Sequence, residues 1–416
     1  MILRDTPPSS PQMEDEIDED EMVYIGDADE VLEVFENDDE DSENEEGKDS
    51  PVKDEAVCVF SKHEGSVFCG SLNKDGTLAA TGGEDDKAFV WEVDSGQIVL
   101  ECMGHSDSVT FVEFSQDSTY LATGDMGGLI KVWKMSNKLL VWEYSIGDMT
   151  WMRWHSVANV LFGGAASGEI YMWKIPSGEC KIFQSYGQRV EQAVLMPDGK
   201  RIAVGYDDGY LRLFDLKSGT LSTTIAPDFG HTSTVTALDA DNNLLISGAM
   251  DGKTIFSTSG SGKIIGVLQE LKDANIATEV ESSTNVEAHD TAKPMGNWVE
   301  TIAFCKNSEY QVAATGTVNG QIFIWDTSKQ VLRHAIDQDS GISKLVWCQN
   351  TSIFYTSGLD GVIRSFDAKL GKQLGSLMGH SADILDLCIS RDGTKILSTS
   401  DDSTARIFKI IVPSSR

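Results

Sequence analysis

The feature that most constrains this chain is a segment that recurs. Ala80-Thr81-Gly82-Gly83-Glu84-Asp85-Asp86-Lys87-Ala88-Phe89-Val90-Trp91 is echoed by Ala122-Thr123-Gly124-Asp125-Met126-Gly127-Gly128-Leu129-Ile130-Lys131-Val132-Trp133. Further copies end at Trp173, Phe214, Ser257, Trp325, Phe366 and Phe408. Successive anchors are 42, 40, 41, 43, 68, 41 and 42 residues apart. Each unit reads as short strands. Val109-Thr110-Phe111-Val112-Glu113-Phe114 is β-rich, Ser115-Gln116-Asp117-Ser118 is a turn, and Leu129-Ile130-Lys131-Val132-Trp133 is a further strand. Such a unit cannot bury its apolar face alone, so the copies must stack.

A period near 40–45 residues with a terminal Trp marks a WD-type β-propeller, one four-stranded blade per repeat. The expectation is an all-β, eight-bladed ring of about 32 strands with little helix. The last repeat stops at its third strand, while Ala56-Val57-Cys58-Val59-Phe60 has no blade of its own. That N-terminal strand should complete the last blade and so remove the open edge. The 68-residue gap holds an acidic insertion, residues 269–297, expected after the third strand of the fifth blade and expected to be disordered.

Charge divides the chain. Residues 1–55 carry 23 acidic and 3 basic side chains, within a net charge of −33 for all 416 residues. So acidic a segment, poor in aromatics, buries too little to offset the entropy of ordering. Residues 1–54 are expected to be a disordered arm, 55–411 the propeller and 412–416 a tail. Met22-Val23-Tyr24-Ile25 and Val31-Leu32-Glu33-Val34-Phe35 form an apolar island in the arm, read as incidental or as a docking motif. Ser42, before Glu43 and Glu45, suits an acidophilic kinase.

The acidity argues against direct nucleic-acid binding and against a polybasic membrane binder. No apolar run is long enough for a membrane helix, and the first residues lack a signal-peptide core. The expected setting is the cytoplasm, with the nucleus as a second compartment, and the expected state is a monomer. Cys58, Cys69, Cys102, Cys180, Cys305, Cys348 and Cys388 are widely spaced and contain no Cys-x-x-Cys pair. They read as reduced, mostly buried thiols. Gly252-Lys253-Thr254 lacks the upstream glycine of a phosphate loop, Ser247 standing in its place. No catalytic, metal or cofactor site is expected, and the chain is not read as an enzyme.

The resemblance to WD-type propellers implies a hydrogen-bonded chain within the blade, through a His early in the unit, a Ser or Thr ten residues before the Trp and an Asp six before it. His63, Thr81, Asp85 and Trp91 match, as do His231, Ser247 and Asp251, and His380, Ser398 and Asp402. In the second unit Gly127 holds the Asp position, so the chain through His105 is expected to be broken there. A protease-like triad is rejected, because one set recurs at one structural position with its hydroxyl in a strand.

Several segments resemble the angio-associated migratory cell protein family. They are Thr81 through Trp91, Asp117-Ser118-Thr119 through Met126, Trp151-Met152 through His155, Pro197-Asp198-Gly199-Lys200-Arg201 and Ile384-Leu385-Asp386. The resemblance covers residues 57–411 and implies an eight-bladed cytoplasmic protein linked to migration and angiogenesis. Its more distant fungal relative implies a chaperone for a basic large-subunit ribosomal protein. The family's heparin-binding role needs a basic N-terminal cluster; this arm has only Arg4, Lys48 and Lys53, so that role is not carried over. The expected partner surface is an acidic face of Glu84, Asp86, Asp125, Asp148, Asp207 and Asp401, with Trp151 either a loop residue offering an apolar contact or the start of a strand. It is read either as capturing a basic ribosomal protein or as serving solubility alone; a signalling scaffold is the alternative function.

Overall fold

The computed structural model describes residues 53–228, 230–270, 297–307 and 309–410, without the side chains of 269 and 270. The arm as far as residue 52, with its apolar island and Ser42, lies outside the described residues, as do residues 271–296 and the tail.

The described residues form 32 strands in eight four-stranded antiparallel sheets and no helix. Blades 1 to 7 each take four consecutive strands, running from Val67–Leu72 in blade 1 to Lys372–Leu377 in blade 7. Blade 8 takes Ile384–Ile389, Lys395–Ser400 and Ala405–Lys409, and its outer strand is Cys58–Phe60. The innermost strands contact one another in sequence round the ring, and that of blade 8 meets that of blade 1. In every inner strand the register slips by one residue at its second position, between Val67 and Cys69 in blade 1 and Ile384 and Asp386 in blade 8. A bulge raises local twist, and repeated eight times it gives the inner strands one common course.

Bonds between blades follow a pattern. Asp386 accepts from the Gly70 amide at 3.1 Å, Ser71 from Phe114 at 3.2 Å and Glu113 from Trp154 at 2.8 Å. Asp239 accepts from Phe304 at 2.7 Å and Thr301 from Leu345 at 3.1 Å. Each joins one inner strand to the next, where no backbone ladder runs. Apolar cores lie between the blades, such as Trp173 and Leu161 against Ile130 and Val132.

Closure is as the sequence predicts. Cys58, Val59 and Phe60 pair with Ile407, Arg406 and Ala405. Phe60 is 2% exposed and stacks on Trp91 of blade 1, centroids 4.8 Å apart, so one ring covers the seam from both sides. The Glu55 amide donates to Met378 O at 2.9 Å, and Asp54 ion-pairs with Arg406. Two expectations need correction. Gln269 and Glu270 belong to the outer strand Ile264–Glu270, so the insertion follows the fourth strand of blade 5; that strand continued the pairing past the point where its polar residues suggested a loop. Cys180 is exposed, because it lies on an outer strand whose far side faces solvent.

Phe60→Ala is expected to lower the stability of the ring by about 3–5 kcal/mol, the range for losing a buried aromatic. Deleting residues 53–60 should break cooperative unfolding. Denaturant titration checks both, and an unchanged midpoint in either variant would show that the seam does not control the ring.

Candidate protein-binding face and the networks beneath it

The antiparallel order puts each turn between second and third strands, and each loop between blades, on one face of the ring. On that face, among the described residues, the loops carry sixteen Asp and Glu against three Lys and Arg. The loops of the opposite face carry six against nine. The charge is therefore segregated by topology, and the first face has the negative field.

Beneath it run the predicted networks. In blade 1, Trp91 Nε1 donates to Thr81 Oγ1 at 3.3 Å. His63 Nε2 lies 3.0 Å from that oxygen and Nδ1 2.9 Å from Asp85. An ionised carboxylate only accepts, so the proton sits on Nδ1 and the threonine hydroxyl donates to Nε2. Burial pushes the Asp85 carboxyl up, but its bonds from His63 and the amides of Glu64 and Lys87 outweigh this and hold it below the usual range. Blade 5 repeats the chain through His231, Ser247 and Asp251, at 2.7 and 3.3 Å. Asp251, also raised by burial, is brought down to about 2 by His231 and the Thr232 amide. Blade 8 has His380 bonded to Ser398 at 2.7 Å and to Asp402 at 2.9 Å. Each chain clamps an inter-blade loop onto a turn of the acidic face.

Blade 2 corrects the expected break. His105 Nδ1 donates to Asp125 at 3.0 Å, Nε2 is 2.8 Å from Thr123 Oγ1, and Trp133 Nε1 donates to the same oxygen at 3.0 Å. Asp125 aligns with Gly83 of blade 1, not with Asp85. A Cβ added at Gly83 would stand 2.7 Å from His63 Nδ1 and 3.1 Å from an Asp85 carboxylate oxygen. A side chain grown from that position thus reaches the same place as the usual Asp. The turn that follows is held by Gly128, at φ 86°, where a Cβ would run into Gly147 O.

Consequently Asp125 is 0% exposed and leaves the partner surface. Trp151 also leaves it. It lies within the inner strand Met149–Trp154, 5% exposed, packed among Phe162, Val190 and Tyr206. Asp207 is half-buried with one carboxylate oxygen enclosed. Glu84, Asp86, Asp148 and Asp401 are exposed on the face as expected. Glu84 accepts from the Ser66 amide at 3.2 Å, and Asp401 from the Ser66 hydroxyl. Glu64, Asp107, Asp339 and Asp383 join them, all exposed in inter-blade loops. Their position in the repeat was the signal that could have placed them.

Two blades without the His use arginine instead. In blade 7 Arg364 grips Asp360 at 3.0 and 2.5 Å. In blade 4 Arg212 lies 3.8 Å from Asp208 and 4.4–4.5 Å from the ring centroids of Tyr186, Tyr206 and Tyr210. In both the arginine stands four residues after the Asp, on the third strand, a spacing that a repeat pattern centred on His does not contain.

Asp85→Ala and Asp125→Ala should each destabilise by about 1–3 kcal/mol per stranded donor. Asp86 is exposed at φ 59°, which Asn tolerates better than Ala, so Asp86→Asn should stay within roughly 0.5 kcal/mol. Acidification should act in one direction. The Asp85, Asp251 and Asp402 carboxyls titrate below their unfolded value of 3.8, so their contribution is present above that value and is lost as pH falls toward 2. Burial also lowers His105 below 6.5, outweighing Asp125, so the unfolded chain takes up that proton first. Stability should fall from about pH 6.5 downward, most steeply below 4. Melting curves across pH check this, and a rise in stability over that range would contradict it.

Comparison with known proteins agrees with this architecture. The "WD domain, G-beta repeat" family model matches residues 54–92, 96–134, 220–256 and 371–409. The chain is 41% identical over 363 residues to the angio-associated migratory cell protein of Canis lupus familiaris, covering 86% of this chain and 81% of that one. It is 23% identical over 413 residues to the "Ribosome assembly protein SQT1" of Saccharomyces cerevisiae, covering 90% and 92%. The crystal structure of Chaetomium thermophilum Sqt1 bound to the N-terminus of the ribosomal protein L10 has the same fold. Its TM-score is 0.73 at 20% identity, over 86% of this chain and 100% of that one. With its propeller, its blade networks and this degree of identity over most of its length, the chain belongs to the angio-associated migratory cell protein family.

Proposed function

We propose that this WD-repeat propeller, a protein-binding scaffold, escorts a basic ribosomal protein during assembly of the large subunit by holding an Arg/Lys-rich segment on its acidic face. The observation that carries the reading is the sixteen-to-three excess of acidic residues on that face, set on turns that the His–Asp chains keep in place. A fungal relative named for ribosome assembly, and a solved complex of that fungal protein's counterpart with the N-terminus of a ribosomal protein, support it. The mechanism is electrostatic capture. Focused negative potential raises the association rate of a cationic segment and falls off with salt. The acidic arm adds range to that steering. The escort works as a monomer, in the cytoplasm and also in the nucleus.

A signalling scaffold for cell migration is the second reading, favoured by the 41% identity to a relative named for migratory cells. Salt separates the two. Capture of a basic partner weakens as ionic strength rises, whereas docking of an ordinary globular domain changes little.

Glu84→Lys, Asp86→Lys, Asp148→Lys and Asp401→Lys together should leave the ring folded, at the cost of the two bonds from Ser66 and of a lysine at φ 59°, and should abolish binding of an Arg/Lys-rich ribosomal peptide. Each exposed pair is worth about 0–1 kcal/mol, so single changes should do little. Removing residues 1–50 should slow association more than it speeds dissociation. Surface-immobilised kinetics over a salt series, with circular dichroism as fold control, make the measurement. Unchanged rates in the folded fourfold variant would assign the acidity to solubility and put the scaffold reading first.

A further inference from the structure

The face opposite the acidic one has a groove between blades 3 and 4 with a volume of about 530 Å³. Its walls are Val160, Phe162, Met172 and Leu216, with Lys200 and Lys217 at the rim. Both lysines are exposed, and neither makes an ion pair among the described residues. The one carboxylate there, Asp215, is already engaged. It accepts from the Ser218 amide at 2.7 Å and hydroxyl at 2.8 Å, which hold it below the usual range.

The groove is preformed. His155 Nε2 lies 3.0 Å from Gly199 O, and Nδ1 accepts from the Val157 amide at 3.2 Å. One neutral tautomer satisfies both bonds, with Nε2 donating. The ring thereby ties the loop of blade 3 to that of blade 4, and no side chain has to move to open the space. The comparable groove between blades 5 and 6, about 450 Å³, also has a lysine, but its charge is spent. Lys306 Nζ is 3.0 Å from Asp239 and 2.7 Å from Ala240 O.

We infer that the groove between blades 3 and 4 is a second docking site, for an acidic peptide segment carrying a single apolar anchor. The volume lies in the range of sites that enclose a ligand group. The apolar walls take the anchor, and two unengaged ammonium groups at the rim select carboxylates beside it. Such a segment is repelled by the acidic face, so the two faces take ligands of opposite charge without competing. The inference does not depend on the identity of the basic partner.

The test uses the full chain and a short fluorescein-labelled peptide with a central Leu flanked by Asp and Glu, followed by anisotropy. Saturable binding that weakens with salt is expected. Lys200→Glu with Lys217→Glu should weaken it about tenfold, two exposed pairs being lost and reversed. These are surface changes that leave the fold as it is, with circular dichroism as the check. Met172→Glu should remove binding by placing a carboxylate on the wall, and Ser in place of the peptide's Leu should do the same. The fourfold acidic-face variant should bind this peptide as well as the wild type. Absence of saturable binding, indifference to the double lysine reversal, or equal affinity for a neutral peptide with the same anchor would each overturn the assignment.

Discussion

A ring of blades holds only if its first and last members are joined, and here three backbone pairs and one stacked aromatic make that joint. Cys58–Phe60 comes from the beginning of the propeller and completes a sheet begun at Ile384. The pairing leaves no bare edge on the third strand of blade 8, and Phe60 fills the seam against Trp91. Every inter-blade core presupposes neighbours on both sides, so a gap anywhere would expose two apolar faces at once. This non-local contact makes eight separately weak sheets into one cooperative body.

Within the ring, the same task is solved with different chemistry from blade to blade. The task is to hold a loop and a turn together over a core that excludes water. A His with a carboxylate and a hydroxyl does this in blades 1, 2, 5 and 8; in blade 4 Arg212 on the third strand lies between the turn Asp208 and the loop residue Tyr186, and in blade 7 Arg364 braces the turn through Asp360. Burial alone would raise the Asp85, Asp251, Asp360 and Asp402 carboxyls, and the donors aimed at them hold them below the usual range instead. A carboxylate that accepts from a side chain and from turn amides together is the constant element; it is enclosed in the His blades and more open in blades 4 and 7. Its donor varies, and in blade 2 even its position in sequence varies.

The same antiparallel order that builds the blades sorts their loops by charge. Any residue in a turn between second and third strands, or in a loop between blades, comes to one face. Acidic turns repeated at a fixed place in the repeat therefore add up to a field across tens of ångströms of sequence-distant chain, and the basic loops gather on the other side. The two proposed docking modes, a cationic segment on one face and an acidic one on the other, rest on one topology.

Most of the architecture was legible in the sequence. The period, the strand pattern within each unit and the unfinished last repeat are local or periodic properties, and they specify an eight-bladed ring and its closure before any contact is known. The networks around His63, His231 and His380 were legible for the same reason, because their members keep fixed spacings. What the tertiary structure decided was which side chains face water. Asp125 looks like one more acidic turn residue, yet it lies at the end of a strand where its Cβ points at His105. Trp151 reads equally as loop or strand, and the bulged register of blade 3 turns it into the core. The burial of Asp125 depends on how a loop folds back on its own blade, and that of Trp151 on the angle at which blade 3 packs against blade 4. That angle is set by residues roughly forty positions apart in the repeat, so no window of sequence contains it.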